Sequence, residues 1–137
     1  MTEKNTVPVS SRRGSSGTRL VAAIEQYLAA HSADKFSLPE ISEALHINGN
    51  YLLRVYKART GHTLLWYHNA VRCEIAKDML EKTECSIAEI SSAVGYVSPA
   101  HFSHQFKKMT GVAPSDWRSL PSDSLPAEYL IDPPHLL

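Results

Sequence analysis

Asn50, Leu53, Arg54 and Lys57 stand at i, i+3, i+4 and i+7, the spacing of one stripe along an α-helix. Fifty residues on, Ala100, Ser103, His104 and Lys107 repeat that spacing position by position. Exposed stripes of this composition suit a nucleic-acid surface. An Asn amide pairs bidentately with adenine and an Arg guanidinium with guanine, each worth about 1–3 kcal/mol of discrimination. Leu53 and Ala100 offer apolar contact to a thymine methyl. Lys57 and Lys107, a turn further along, suit phosphates, and so do their neighbours Arg59 and Lys108.

The stripes belong to a longer internal repeat. Ser37-Leu38-Pro39-Glu40-Ile41-Ser42-Glu43-Ala44-Leu45 is echoed by Ser86-Ile87-Ala88-Glu89-Ile90-Ser91-Ser92-Ala93-Val94 at an offset of 49. The closing phrases, Tyr56-Lys57-Ala58-Arg59-Thr60-Gly61 and Phe106-Lys107-Lys108-Met109-Thr110-Gly111, are offset by 50, so the second connecting turn holds one extra residue. Each copy, at about 25 residues, fits two short helices and a turn. Ser37-x-x-Glu40 and Ser86-x-x-Glu89 both read as capping boxes and predict helices over 38–45 and 87–94. Asn48 and Ser98 then cap helices over 49–60 and 99–110, each stopped by Thr-Gly. Leu52, Val55 and Tyr56, and in the second copy Phe102, Phe106 and Met109, form the inner faces.

Around the repeat the same periodicities place three more helices. Thr18 is the expected cap of a first helix carrying Leu20, Val21, Ile24, Tyr27 and Leu28 and ending near Ser32. A linker helix is expected from Thr63 to Lys82, with Leu64, Val71, Ile75, Ala76, Met79 and Leu80 as its apolar stripe. Its length, about 27 Å, approaches the ~34 Å between successive major-groove segments. Pro114-Ser115-Asp116-Trp117 predicts a last short helix with Trp117 packed on the second unit. The fold class is therefore all-α, with about seven helices in two helix–turn–helix subdomains joined by a long helix. Residues 1–17, polar and without apolar spacing, read as a flexible arm. Residues 18–120 form the domain: a first unit over 18–62, the linker over 63–82 and a second unit over 83–120. Residues 121–137 are a Pro-rich extension.

Fourteen Lys/Arg balance fourteen Asp/Glu, but their distribution is uneven. No acid occurs from Ala44 to Cys73, a stretch holding Arg54, Lys57, Arg59, Arg72, His46, His62 and His68. None occurs from Ile90 to Ser115, which holds His101, His104, Lys107 and Lys108. Exclusion of carboxylates from both second halves is what a phosphate-facing surface requires. No apolar run approaches the ~18 residues that span a bilayer, and residues 1–17 have no apolar core of a secretory signal. Cys73 and Cys85 read as free thiols of a reducing cytoplasm. His101 and His104 lack further ligands nearby, so no metal or other cofactor is expected. No nucleophile–base or paired-carboxylate spacing points to an enzyme.

Ser86-Ile87-Ala88-Glu89-Ile90, Val94-Gly95-Tyr96, His101 through Lys108 and Gly111 through Arg118 closely resemble the signature of the AraC/XylS family of bacterial transcription regulators. The resemblance covers residues 18 to about 120. It implies two recognition helices in adjacent major grooves of double-stranded DNA, with Asn50, Leu53 and Arg54 facing bases from the first unit. From the second unit it implies Pro99, Ala100, Ser103 and His104. It also implies a cytoplasmic regulator, more naturally an activator, bound as a monomer and able to meet RNA polymerase. Longer members carry a sensor or dimerisation domain first, so the chain is similar to the small stand-alone members or to a fragment of a long one. Two departures stand out. Pro99, Ala100 and Ser103 offer little hydrogen bonding, so the second unit should hold backbone more than read bases. His46 stands where the second copy has Gly95, so it must either avoid positive φ or tolerate strain. The competing expectation is a protein-interaction module with weak or recruited DNA binding, suggested by the neutral charge and by Tyr129-Leu130-Ile131 in the extension.

Overall fold

Helix starts and stops recur in the structure at the places where the repeat puts them. The computed structural model describes residues 9–120, of which 9–16 by backbone alone. Seven α-helices and no strand occur among them: α1 Val9–Ala30, α2 Leu38–Leu45, α3 Gly49–Thr60, α4 Leu64–Lys82, α5 Ile87–Ala93, α6 Pro99–Thr110 and α7 Pro114–Ser119. They form two units. Among the described residues the first combines 9–27 with Ser37–Leu64, and the second combines Leu28–Phe36 with 65–120.

Caps explain why the short helices begin where they do. Ser86 makes a complete capping box: its Oγ accepts from Glu89 N at 3.0 Å, and its own amide donates to Glu89 Oε1 at 2.8 Å. Ser37 makes only half of one, its Oγ accepting from Glu40 N at 3.3 Å. Ser37 enters its helix at φ −145° where Ser86 enters at −69°, which turns its amide away from the Glu40 carboxylate. The two expected boxes are thus unequal.

In the first unit Val21, Ile24, Ile41, Leu52, Tyr56 and Leu64 are buried. The Tyr56 hydroxyl donates to the buried Glu25 carboxylate at 2.8 Å, tying α3 to α1 through a charge-assisted bond. In the second unit Cys73, Ala76 and Leu80 from α4 pack with Ile90, Val94, Tyr96, Phe102, Phe106 and Trp117. Its aromatic rings form a chain: Tyr96 to Phe102 at 5.5 Å, Phe102 to Phe106 at 5.8 Å, and Phe106 edge-on to Trp117 at 5.6 Å. Trp117 packs on the second unit as expected, and its indole N–H donates to Glu81 at 3.3 Å. Arg118 donates to the carbonyls of Leu80 and Thr83, each at 3.1 Å, and so closes the C-terminus of α4.

Several expectations need correction. α1 does not begin at Thr18: Val9 to Gly17 are helical, because extending an existing helix adds one hydrogen bond per residue without a new nucleus. The expected arm is left with residues 1–8, and these, like the extension over 121–137, lie outside the described residues. The α4 stripe fails at Ile75, which is 40% exposed. Instead α4 buries Tyr67, His68, Arg72 and Lys77 as well as its small residues, since it is covered on more than one side within the second unit. Arg72 and His68 therefore leave the list of phosphate-facing cations. Arg72 donates from Nε to Ser32 O at 2.6 Å and from Nη2 to Asp34 O at 2.9 Å, and stacks 4.9 Å over Tyr96. His68 lies edge-on to Phe36, and neither ring nitrogen makes a hydrogen bond of good geometry with a described residue. Burial first, and the Arg72 charge second, lower its pKa from 6.5 to about 4.

His46 takes the strained alternative. It sits at φ 58°, ψ 39°, the one positive-φ residue other than glycine among the described residues. Gly95, at φ 104°, has a second reason to be glycine, because a Cβ there would run into the carbonyl of Ala33.

Candidate nucleic-acid interface

The two helices that carry the stripes are held by matching devices. Asn48 Oδ1 accepts from Tyr51 N at 3.2 Å to start α3, and Ser98 Oγ accepts from His101 N at 3.1 Å to start α6. Each ends in a left-handed glycine, Gly61 at φ 82° and Gly111 at φ 85°, whose amide returns to the carbonyl of Lys57 or Lys107. Thr60 and Thr110 add the same brace, each hydroxyl donating to the carbonyl four residues back, at 2.8 and 2.9 Å. Leu52 and Tyr56, and equivalently Phe102 and Phe106, anchor the inner faces. Val55 and Met109, expected beside them, are only half-buried.

That anchoring turns the opposite stripes outward. Asn50, Leu53, Arg54 and Lys57 are exposed on α3. On α6, Pro99, Ala100, His104, Lys107 and Lys108 are exposed and Ser103 is half-buried. Pro99 occupies the first turn of α6, where its missing N–H leaves no intrahelical bond unmade. The Arg54 guanidinium rests 5.6 Å over the Tyr51 ring, a cation–π contact. Lys57 Nζ donates to the Gly61 carbonyl at 3.1 Å, at the edge of the stripe and free to exchange for another acceptor. Neither α3 nor α6 has an acid in its first turn, and Lys57, Arg59, Lys107 and Lys108 crowd the last turns.

Arg59 does not join this surface. At about 100° per residue it lies roughly 160° round α3 from Lys57, and its guanidinium rests against Gly17 of α1. Spacing alone shows as much, since 59 matches none of the i, i+3, i+4 positions of the stripe. Tyr51 was missed by sequence reasoning. It is 45% exposed and supports Arg54 from three positions away, a pairing that i, i+3 geometry signals. Val97, the extra residue of the second turn, is fully exposed next to the start of α6. Among the described residues no group of three His, Cys, Asp or Glu comes together to hold a metal. No helix there is long and apolar enough to cross a membrane.

Two capped and stopped helices presenting matched polar stripes, each packed behind a shorter helix, define a doubled helix–turn–helix protein. Comparison with known proteins agrees. A family model for a helix-turn-helix domain matches residues 41–119. The chain is 33% identical over 97 residues to the uncharacterized HTH-type transcriptional regulator YisR of Bacillus subtilis, covering 71% of this chain and 34% of that protein. It is similar to the C-terminal domain of AraT, a response regulator from Geobacillus stearothermophilus, with a TM-score of 0.70 and 32% identity over 78% of this chain and 91% of that one. The DNA-binding domain of AdpA, a global transcriptional factor solved with a target DNA, shares the fold at a TM-score of 0.66 and 20% identity, covering 72% of this chain and 89% of that one. The chain belongs to the AraC/XylS family of helix–turn–helix transcription regulators and carries that family's DNA-binding domain. It spans about a third of the length of the curated relative it matches.

Proposed function

We propose that this chain is a sequence-specific transcription activator that sets α3 and α6 into adjacent major grooves of double-stranded DNA. It binds as a monomer in the cytoplasm and contacts RNA polymerase from the DNA. The observation that carries the reading is the pair of outward stripes on equivalently capped and stopped helices. AdpA, which shares the fold, was solved on its target DNA, which supports the same use of the domain here. Within that reading the work divides. Asn50, Leu53 and Arg54 face bases, and Lys57 faces phosphate. Pro99, Ala100, Ser103 and His104 lie against the second groove with weaker discrimination, and Lys107 and Lys108 hold its backbone.

The test is binding to a cognate promoter fragment against random duplex across a salt series. A reader of this kind shows a specificity ratio of ~10³ or more and a log–log salt slope set by several phosphates. Arg54→Ala should relax preference at one position at a cost of about 1–3 kcal/mol, whereas Lys107→Ala should weaken all sequences alike and shallow the salt slope by about one. A flat salt response without preference would sink the proposal.

A further inference from the structure

The first unit contains an open groove of about 610 Å³. Its apolar walls come from Leu20 of α1, Ile47 of the turn, and Tyr51 and Val55 of α3. Arg19 and Arg59 also line it, with no carboxylate among its described lining residues. Arg59 makes no hydrogen bond or ion pair with any described residue. Its guanidinium can lie flat on α1 only because residue 17 is glycine, where any Cβ would overlap it. The position of Ile47 is matched across the repeat by Tyr96, since both amides close the same turn, to Ser42 O at 3.1 Å and to Ser91 O at 3.0 Å. Tyr96 fills that place in the second unit with its own ring and the stacked Arg72. The wall that Ile47 gives the groove therefore has a different occupant in the second copy.

We propose that this groove binds a small amphipathic monoanion, an apolar body of about one ring or a short alkyl chain carrying a carboxylate. The volume lies in the ~300–1,000 Å³ range of small-molecule sites, and few, convergent polar groups on apolar walls are their usual lining. A guanidinium without a partner among the described residues matches a carboxylate in charge and in its forked geometry. Tyr51 makes the site consequential: it lines the groove and supports Arg54 by the 5.6 Å stack. A ligand against Tyr51 therefore shifts the base-facing guanidinium, coupling occupancy to DNA affinity, a step that rests on the function proposed above.

The full chain, free of DNA, is titrated with 4-phenylbutyrate and separately with neutral 4-phenylbutyramide, followed by amide chemical shifts. Saturable shifts centred on Leu20, Ile47, Tyr51 and Val55 are expected for the acid, with the amide at least tenfold weaker. Arg59→Gln should cost a similar factor without lowering Tm, and Ile47→Tyr should abolish the shifts by filling the groove. Equal binding of acid and amide, or shifts scattered over both units, would overturn the site. So would groove shifts driven by protein concentration alone, which would assign the groove to a second copy. Acid binding that appears only in Glu128→Gln/Asp132→Asn would also overturn it, assigning the groove to the acidic segment beyond Leu120. Saturating acid should then change promoter affinity at least threefold in the native chain and not in Ile47→Tyr. Unchanged affinity with the acid bound would remove the coupling. Absence of promoter preference without acid would count against the function and leave the titration standing.

Discussion

Offset by 49 residues in the first helix and 50 in the second, the pairs α2–α3 and α5–α6 keep side-chain N-caps at equivalent positions, the same Thr-Gly stop and the same backbone bonds across the turn. The side chains on that common frame differ in kind. The first unit ties its recognition helix inward by a polar link, Tyr56 to Glu25, leaves a groove beside Ile47, and shows Asn50 and Arg54 outside. In the second unit Phe106 stands at the place of Tyr56 and Tyr96 at that of Ile47, and rings run without interruption to Trp117. Its outer stripe is Ala100, Ser103 and His104. The same backbone frame thus carries two different interiors and two different outer stripes. The unit with the more aromatic interior has the plainer exterior.

The comparison can be broken most forcefully at the two inner anchors. Trp117→Ala should cost about 3–5 kcal/mol, as large core truncations do, whereas Tyr56→Phe should cost about 1.5–3 kcal/mol, the worth of a hydrogen bond to a charged group. Urea unfolding of both variants measures this, and equal losses would mean that the aromatic chain is no firmer than the polar link.

Acid should act on the second unit through His68. Its pKa falls from 6.5 to about 4 on folding, so the folded state favours the neutral ring. Stability is full above pH 6.5 and is lost as pH falls from there toward 4, where the folded-state ring also charges. Tm should drop across that window, and His68→Phe should flatten the slope. An unchanged slope would put the acid sensitivity elsewhere.

The turns give a further contrast. Gly95→Ala should destabilise by about 1–3 kcal/mol, through positive φ and the Ala33 carbonyl together, while His46→Gly should stabilise by about 1 kcal/mol. Opposite signs in thermal melts would establish that only the first turn carries relievable strain. The smallest effect concerns two equivalent serines. Ser42 Oγ donates to Ile47 O at 2.5 Å, but Ser91 Oγ is buried without a partner among the described residues. Ser42→Ala should cost about 1 kcal/mol and Ser91→Ala about nothing, since no bond is lost there. A comparable loss at Ser91 would reveal a partner for its hydroxyl.

Most of the fold was legible because its signals are local. Ser37, Asn48, Ser86 and Ser98 cap the helices they were expected to cap, and Gly61 and Gly111 stop the recognition helices. The stripes over Asn50 to Lys57 and Ala100 to Lys107 were legible for the same reason, since burial of Leu52, Tyr56, Phe102 and Phe106 decides which faces turn out. Non-local facts were not. A basic stretch that reads as one patch loses Arg72 to the carbonyls of Ser32 and Asp34, some forty residues away in sequence. Arg59 is drawn to Gly17, and α4 is covered on sides that no single stripe predicts. The capping box at Ser37 fails on a backbone angle, which residue type does not specify.

Arg72 also has a consequence for how the protein comes off the ribosome. The second unit is discontinuous: Leu28–Phe36 belongs to it, and the whole of α2 and α3 is made before the rest arrives. The first unit has all its residues once Leu64 has emerged. Until Arg72 and then Gly95 follow, the segment around Ser32 waits without the guanidinium and the turn that it will pack against. A fragment started at Leu65 would keep every residue of α6 and still leave a buried guanidinium without its two carbonyls, so no contiguous fragment can hold the complete second unit without carrying α2 and α3 as well.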